Sequence, residues 1–421
     1  ALNAVLEKYQ YLEKKERAFI TRVTEGTLEH MIELDYILNQ FSKVKVNKMK
    51  PVIRNILRSA VYQLKYMDSV PDSAVCNEAV KLAVKKGFGT LRGFVNGVLR
   101  NVARGLDQVE YPTEGIERLS VVYSMPEWIL KLWKKTYDLD VIESMLQAFQ
   151  EETPVTIRCN LAKTTPENLK ESLQKEGVTV TPHPYLSYAF WIQDYDHLSE
   201  LESFQKGEFY VQDISSMLVG ELADPKKGDR VIDVCAAPGG KALHVAEKLR
   251  GTGSVEARDL SLYKVGLITE NIERSGLTNI HAVQKDATVC DADVKDAADL
   301  VIADLPCSGL GVLAKKTDLK YKATEQSTKE LAGLQREILK NAASYVRPGG
   351  TLIYSTCTIN PAENIENVHW FLKEFPEFVL DPIADRLCST LQNSVEEAGC
   401  LQLLPGIHKS DGFFIARFGK K

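Results

Sequence analysis

Residues 230–241 read RVIDVCAAPGGK, a short apolar run that passes straight into a turn of Pro and two Gly and then into the helical pattern KALHVAEKL. A strand that enters a glycine turn and leaves as a helix is where an open α/β sheet binds a ligand, at the carboxyl ends of its strands. The glycines let backbone come close to that ligand. A phosphate loop of the form G-x-x-x-x-G-K-[ST] would need Gly where Cys235 stands and Ser or Thr where Ala242 stands, and the dinucleotide pattern G-x-G-x-x-G is also missing. Downstream, strand-like runs alternate with helical ones: SVEARD, a helix from Leu262, NIHAVQ, LVIADL, a helix from about Thr328, TLIYST and a terminal strand DGFFIARF. That alternation with apolar strands predicts a mostly parallel, doubly wound sheet.

The strand ends carry acids. Asp259 ends the second strand 24 residues after Cys235, close to the roughly 20-residue offset at which an acid holds ribose hydroxyls. A nucleoside cofactor is implied. Asp286 follows the third strand, where it can reach the base or its exocyclic amine, and Asp304 ends the fourth. A single acid at a strand end is usually a helix cap, but a glycine loop and three acids at four strand ends point to one site.

Two cysteines follow strands at the same edge: Cys307, after Asp304, Leu305 and Pro306, and Cys357, after Thr356, 50 residues later. Thiolates are strong nucleophiles and suit attack on an electron-poor ring carbon. Asp304, meeting the ring nitrogen, would stabilise the charge that such attack develops. The residues alone do not rank the two thiols. Cys76, Cys159, Cys290, Cys388 and Cys400 read as small buried hydrophobes, and Cys235 as part of the loop wall. With no Cys-x-x-Cys pair and scattered histidines, no metal site is expected.

Working outward, residues 151–208 read as a small α+β subdomain: TPVTIRCN, a helix capped by Thr165 with Pro166 at its first position, then VTVTP and AFWIQD as strands. Residues 111–150 form a helical connector, 1–110 an all-α domain, and 209–421 the sheet domain. The net charge of −5 at first argues against a nucleic-acid partner, yet residues 1–105 carry 18 basic and 10 acidic side chains, a net of +8. Residues 43–104 alone hold 13 basic and 3 acidic residues, as a polyanion-binding face would. No uncharged stretch reaches the ~20 residues of a spanning helix, so a cytoplasmic protein with reduced thiols, free of membrane, is expected.

The strings DVCAAPGGK (233–241), DLPCSG (304–309) and YSTCTINPAEN (354–364), together with FYVQD (209–213) and DGFF (411–414), resemble the S-adenosylmethionine-dependent RNA cytosine-C5 methyltransferases. The N-terminal part resembles the NusB-type helical RNA-binding fold, and the pairing is that of the small-subunit (16S) ribosomal RNA methyltransferases of the RsmB/Sun/Fmu group. The resemblance implies a NusB-like domain, an RRM- or ferredoxin-like subdomain and a Rossmann-like class I methyltransferase domain. It implies an S-adenosyl-L-methionine site lined by Cys235, Ala236, Ala237, Pro238, Gly239, Gly240, Lys241, Asp259, Asp286 and Asp304. Cys357 would be the nucleophile at cytosine C6, Cys307 would assist product release, and Asp304 would contact the ring nitrogen. The implied partner is small-subunit ribosomal RNA, bound by a monomer, with transfer RNA, or a binding protein on a retired methyltransferase fold, as alternatives. Leu305 stands where the family has Ala and would crowd cofactor or base. Lys315, Lys316, Lys320 and Lys322 can hold RNA phosphate or be surface lysines.

Overall fold

The computed structural model describes residues 2–9 and 11–421. They form two compact units, Ala1–Gln150 with Ala314–Lys322, and Glu151–Leu313 with Ala323–Lys421. Among the described residues, no helix is long and apolar enough to cross a membrane.

The first unit is helical, built on Lys14–Glu29, Met31–Phe41, Pro51–Tyr66, Asp72–Lys85 and Arg92–Gly105, with shorter helices to Gln150. Apolar residues at spacings of three and four explain the packing: Ile53, Ile56, Leu57, Ala60 and Val61 face inward, as do Val95, Val98, Leu99 and Val102. Pro51 opens its helix at the first position, where its missing N–H costs nothing. Gly26 lies under the Tyr62 ring so closely that a Cβ there would come within 2.2 Å of the Tyr62 hydroxyl oxygen.

Ten of the thirteen basic residues between 43 and 104 are exposed; Arg58 instead pairs with Asp35 and Lys65 with Glu33. The lysine cluster beyond Cys307 is corrected here. Lys320 is buried and its Nζ donates to the Glu29 carbonyl at 2.8 Å, while burial pushes its ammonium down to about 8. Lys322 pairs with Asp318 and stays exposed, as do Lys315 and Lys316, so Lys320 alone of the four is withdrawn from the surface. The periodicity of a short loop segment carries no sign of which lysine is covered.

The second unit holds two sheets. The smaller is antiparallel, in the order β2 (Thr179–Pro182), β3 (Ala189–Gln193), β1 (Val155–Cys159), β4 (Phe209–Val211), with the helix Pro166–Lys175 capped by the Thr165 side chain. Phe209–Val211, read from sequence as the start of the sheet domain, pairs with β1 in the small sheet instead. The larger sheet has a parallel core in the order β7 (Ile280–Gln284), β6 (Ser254–Asp259), β5 (Arg230–Asp233), β8 (Ala298–Asp304), β9 (Val346–Thr356). Antiparallel strands extend it: β13 (Phe413–Lys420) on β9, then β12 (Cys400–Leu403) and β11 (Val395–Glu397), with β10 (Phe378–Leu380) also on β13. The sequence reading anticipated β13 alone among these four, because strands of three or four residues are too short to show a period.

Buried Arg158 on β1 joins the two sheets. Its Nε donates to Gln212 Oε1 at 2.8 Å, its Nη1 to Glu247 Oε2 at 3.0 Å, and its guanidinium lies over the Tyr210 ring. Gln212 packs beneath Gly240, where a Cβ would meet its side chain at 3.6 Å. The FYVQD string therefore supports the glycine turn from below.

Candidate active site

β5 lies between β6 and β8, where the strand order of the parallel core reverses, and the crevice of such a sheet opens at that point. The loop after β5 is fixed by backbone: Ala236 N–H donates to the Arg258 carbonyl at 2.8 Å and Gly239 N–H to the Ala236 carbonyl at 2.7 Å. Gly239 has φ +111°, open to glycine and strained for any other residue. Asp259, almost fully buried, accepts from Ala237 N–H at 3.2 Å and Leu260 N–H at 2.8 Å, with Lys264 Nζ at 3.1 Å. These are the parts a nucleoside sulfonium needs: a backbone cradle without side chains and a carboxylate beside it. The residues present fit S-adenosyl-L-methionine.

Asp286 is exposed and caps its own turn, its Oδ1 accepting from both the N–H and the hydroxyl of Thr288, which hold the carboxyl below its usual range. Cys235 forms loop wall; burial, then the charges of Asp233 and Asp259, push its thiol up, so it stays protonated. Cys76, Cys159 and Cys400 are buried, but Cys290 is exposed, which corrects its reading as a buried hydrophobe. It sits in the loop after β7, which carries no core face.

Across the crevice Cys307 and Cys357 meet, Sγ to Sγ at 3.2 Å. Register explains the meeting: Asp304 on β8 lies opposite Ser355 on β9, so the turns that follow leave the sheet side by side. The hydrogen bond with Cys357, then burial, raises the Cys307 thiol well above its ordinary value. Asp304 stands beside this pair with both oxygens engaged, Oδ1 by the Ser355 hydroxyl and Oδ2 by Lys241 Nζ, each at 2.7 Å. Burial opposes the Lys241 charge, yet Asp304 outweighs it and holds the ammonium above the usual lysine range. Lys241 also lies over the Phe413 ring, 5.3 Å from its centroid. Leu305 is 3% exposed and belongs to the buried cluster that also holds Ile232, Val301 and Tyr354.

The DGFF string reaches the site through glycines. Gly311 N–H donates to the Cys357 carbonyl and Gly412 N–H to the Gly311 carbonyl, and a Cβ on Gly311 would fall 1.9 Å from the Gly412 oxygen. Asp411 N–H donates to Asp213 Oδ1, so the outer strings FYVQD and DGFF touch. Ser355, Phe413 and a buried group around Glu363 were not read from sequence as site residues. Their signal was present only as neighbours within the quoted strings.

A second cavity, at the opposite, amino-terminal ends of β6 and β7, is lined by Tyr188, Glu221, His244, Glu247 and Lys248. Glu221 pairs with Lys248, and Glu247 with the buried Arg158 behind it. Among the described residues, no group of three or more His, Cys, Asp or Glu is placed to hold a metal ion.

A doubly wound sheet with a glycine loop, a buried acid at the end of the next strand and two facing thiols at one edge defines an S-adenosyl-L-methionine-dependent methyltransferase. Residues 221–419 match the family described as 16S rRNA methyltransferase RsmB/F, residues 1–104 the NusB family, and residues 125–195 the RsmF/B-like ferredoxin-like domain. The chain is 37% identical to the probable ribosomal RNA small subunit methyltransferase B of Bacillus subtilis, over 98% of this chain and 93% of that protein. It is 28% identical to ribosomal RNA small subunit methyltransferase B of Cronobacter sakazakii, over 100% of this chain and 95% of the relative. Among solved structures, PH0851 superposes with a TM-score of 0.84 at 26% identity, covering 99% of this chain and 93% of that one. NSun6 from Pyrococcus horikoshii with SFG superposes at 0.62 and 25% identity, covering 70% of this chain and 98% of that one. The chain belongs to the RsmB/F methyltransferase family.

Proposed function

We propose that this enzyme methylates C5 of a cytosine in small-subunit ribosomal RNA through a covalent adduct at C6. The observation that carries the reading is the thiol pair at 3.2 Å beside the Lys241–Asp304 ion pair, at the edge that holds the cofactor loop. Family membership and the printed activities of the relatives support the RNA substrate. The target base leaves its stack, because C5 and C6 are out of reach inside a duplex.

Cys357 is the nucleophile in this reading. The 3.2 Å contact lets the Cys307 thiol donate toward the Cys357 sulfur, which favours a thiolate on Cys357. The Cys357 sulfur forms a bond to C6, and the C5–C6 electron pair moves into the ring toward its nitrogen. Asp304 meets that nitrogen, and the proton held between Lys241 and Asp304 neutralises the charge arriving there. S-adenosyl-L-methionine supplies the methyl group that C5 takes up. Water then takes the C5 proton, whose electron pair restores the C5–C6 double bond as the sulfur–carbon bond breaks; Cys307 assists by donating its proton to the departing Cys357 sulfur, and the ring nitrogen returns its proton to the Lys241–Asp304 pair.

Incubating the protein with a small-subunit ribosomal RNA transcript and labelled S-adenosyl-L-methionine tests the scheme. Cys357→Ala should abolish transfer, whereas Cys307→Ala should accumulate a protein–RNA adduct that survives a denaturing gel. Transfer persisting in Cys357→Ala would sink the assignment, and methylation of transfer RNA alone would redirect the substrate.

A further inference from the structure

Behind the thiols lies a side chain that the chemistry above does not use. Glu363 is fully buried and accepts four hydrogen bonds: Oε1 from Ser308 N–H at 2.8 Å and Gln335 Nε2 at 3.1 Å, Oε2 from the Ser308 hydroxyl at 2.5 Å and Asn360 Nδ2 at 2.7 Å. All four partners are donors, an arrangement that a carboxylate satisfies and an amide cannot.

The partners are informative because of their neighbours in sequence. Ser308 follows Cys307 and Thr358 follows Cys357, and their hydroxyls meet at 2.7 Å. With the Ser308 hydroxyl donating to Glu363, the Thr358 hydroxyl donates to Ser308, so one carboxylate anchors a chain running through both cysteine turns. Each turn is also held on a second side. Gln335 Nε2 donates to the Pro306 carbonyl at 2.9 Å, ahead of Cys307. Asn364 straddles Cys357, accepting from the Thr356 hydroxyl at 2.6 Å and donating to the Thr358 carbonyl at 3.0 Å. Besides the sulfur contact and the Gly311 N–H bond to the Cys357 carbonyl, the two turns are tied by the Ser308–Thr358 hydroxyl contact, which Glu363 anchors.

The geometry points to Glu363 as a positioning residue that, through Ser308 and Thr358, holds the Cys307 and Cys357 turns in register so that both thiols serve one C5–C6 edge. This rests on the covalent scheme proposed above. Adduct formation uses one sulfur, while release requires the second to sit beside the first, so loosening the tie slows release more than addition. Misplacement by about 1 Å is enough to cost on the order of 100-fold.

The test compares Thr358→Val, which removes the hydroxyl at nearly constant shape, with Thr358→Ser, which keeps it. Ribosomal RNA transcript and labelled S-adenosyl-L-methionine serve as probes, and calorimetry with the cofactor verifies the fold. Thr358→Val should lower kcat by about 10- to 100-fold with KM values little changed and should accumulate the covalent adduct although Cys307 is present. Thr358→Ser should restore wild-type turnover, and Ser308→Ala should match Thr358→Val, with the double variant no worse than either single one. If Thr358→Val fails to fold, Ser308→Ala and Glu363→Gln provide the same comparison. Wild-type kinetics and no adduct in Thr358→Val, or Thr358→Ser behaving no better than Thr358→Val, overturns the inference. The Cys307→Ala arm separates the two failures: no adduct there overturns the covalent scheme itself, whereas an adduct there with none in Thr358→Val overturns only the role of the tie.

Discussion

Lys241 Nζ lies 2.7 Å from Asp304 Oδ2 and so joins the loop after β5 to the end of β8, across the point where the sheet order reverses. The pair is largely buried, with side-chain exposures of 14% and 26%, so neither charge is screened as a surface pair would be. Asp304→Asn should lower methyl transfer by about 100- to 10,000-fold, the range of a positioned acid–base group. Lys241→Met should cost about 100-fold, because Asp304 keeps the Ser355 hydroxyl but loses its counter-charge. Single-turnover rates measure both, and an Asp304→Asn enzyme at the wild-type rate would remove Asp304 from the chemistry.

Asp259 is the acid expected at the cofactor ribose, and in the structure it also braces the loop through Ala237 N–H. Asp259→Ala should weaken S-adenosyl-L-methionine binding by about 10- to 100-fold, the worth of a hydrogen bond to a charged group. Calorimetric titration reads this directly, and an unchanged Kd would place the ribose elsewhere.

Asp233 introduces a pH dependence of stability. It is fully buried, no donor among the described residues reaches its Oδ2, and burial, followed by the Asp304 charge, pushes its carboxyl up to about 7. The folded chain therefore holds this proton more tightly than the unfolded chain, where an Asp titrates near pH ~3.9. The contribution is fully present below about pH 4, is lost as pH rises toward about 7, and is constant above that. Asp233→Asn removes the slope, so between pH 5 and pH 8 the variant should gain on the wild type by on the order of 2–3 kcal/mol. Parallel denaturant curves at the two pH values would contradict the buried proton.

The exposed lysines and arginines of the helical unit should bind RNA phosphate. Replacing Lys85, Lys86 and Arg92 with Ala should weaken RNA binding and reduce the slope of log affinity against log salt by up to about 2, at roughly 0.7 per phosphate on a single strand. Cofactor affinity should stay as it was. An unchanged salt slope would make this face ordinary surface.

Much of the fold was legible because its determinants are local. The spacing in VIRNILRSAVYQLKYM dictates a helix, and apolar runs broken by Gly and acids dictate the parallel strands, within a few residues of where they lie. The helix read from about Thr328 begins at Glu325, because Thr324 and Ser327 cap each other and start it a turn early. The short antiparallel strands β10 to β12 left no pattern of their own. They exist because β13 offers an edge, and that is a tertiary fact.

The site divides in the same way. By itself the sequence determined the chemistry available, namely a glycine loop, acids and thiols at strand ends, since residue type and strand polarity are written in the chain. Only the tertiary structure decided their company. It brings residues 50 apart to a 3.2 Å sulfur contact, buries Lys320 while Lys315 stays exposed, and turns Leu305 into the core. It also gathers Glu363, Ser308 and Thr358 into one chain of hydrogen bonds behind the thiols. Strand register and close packing select these partners from residues far apart along the chain, and no local period encodes that choice.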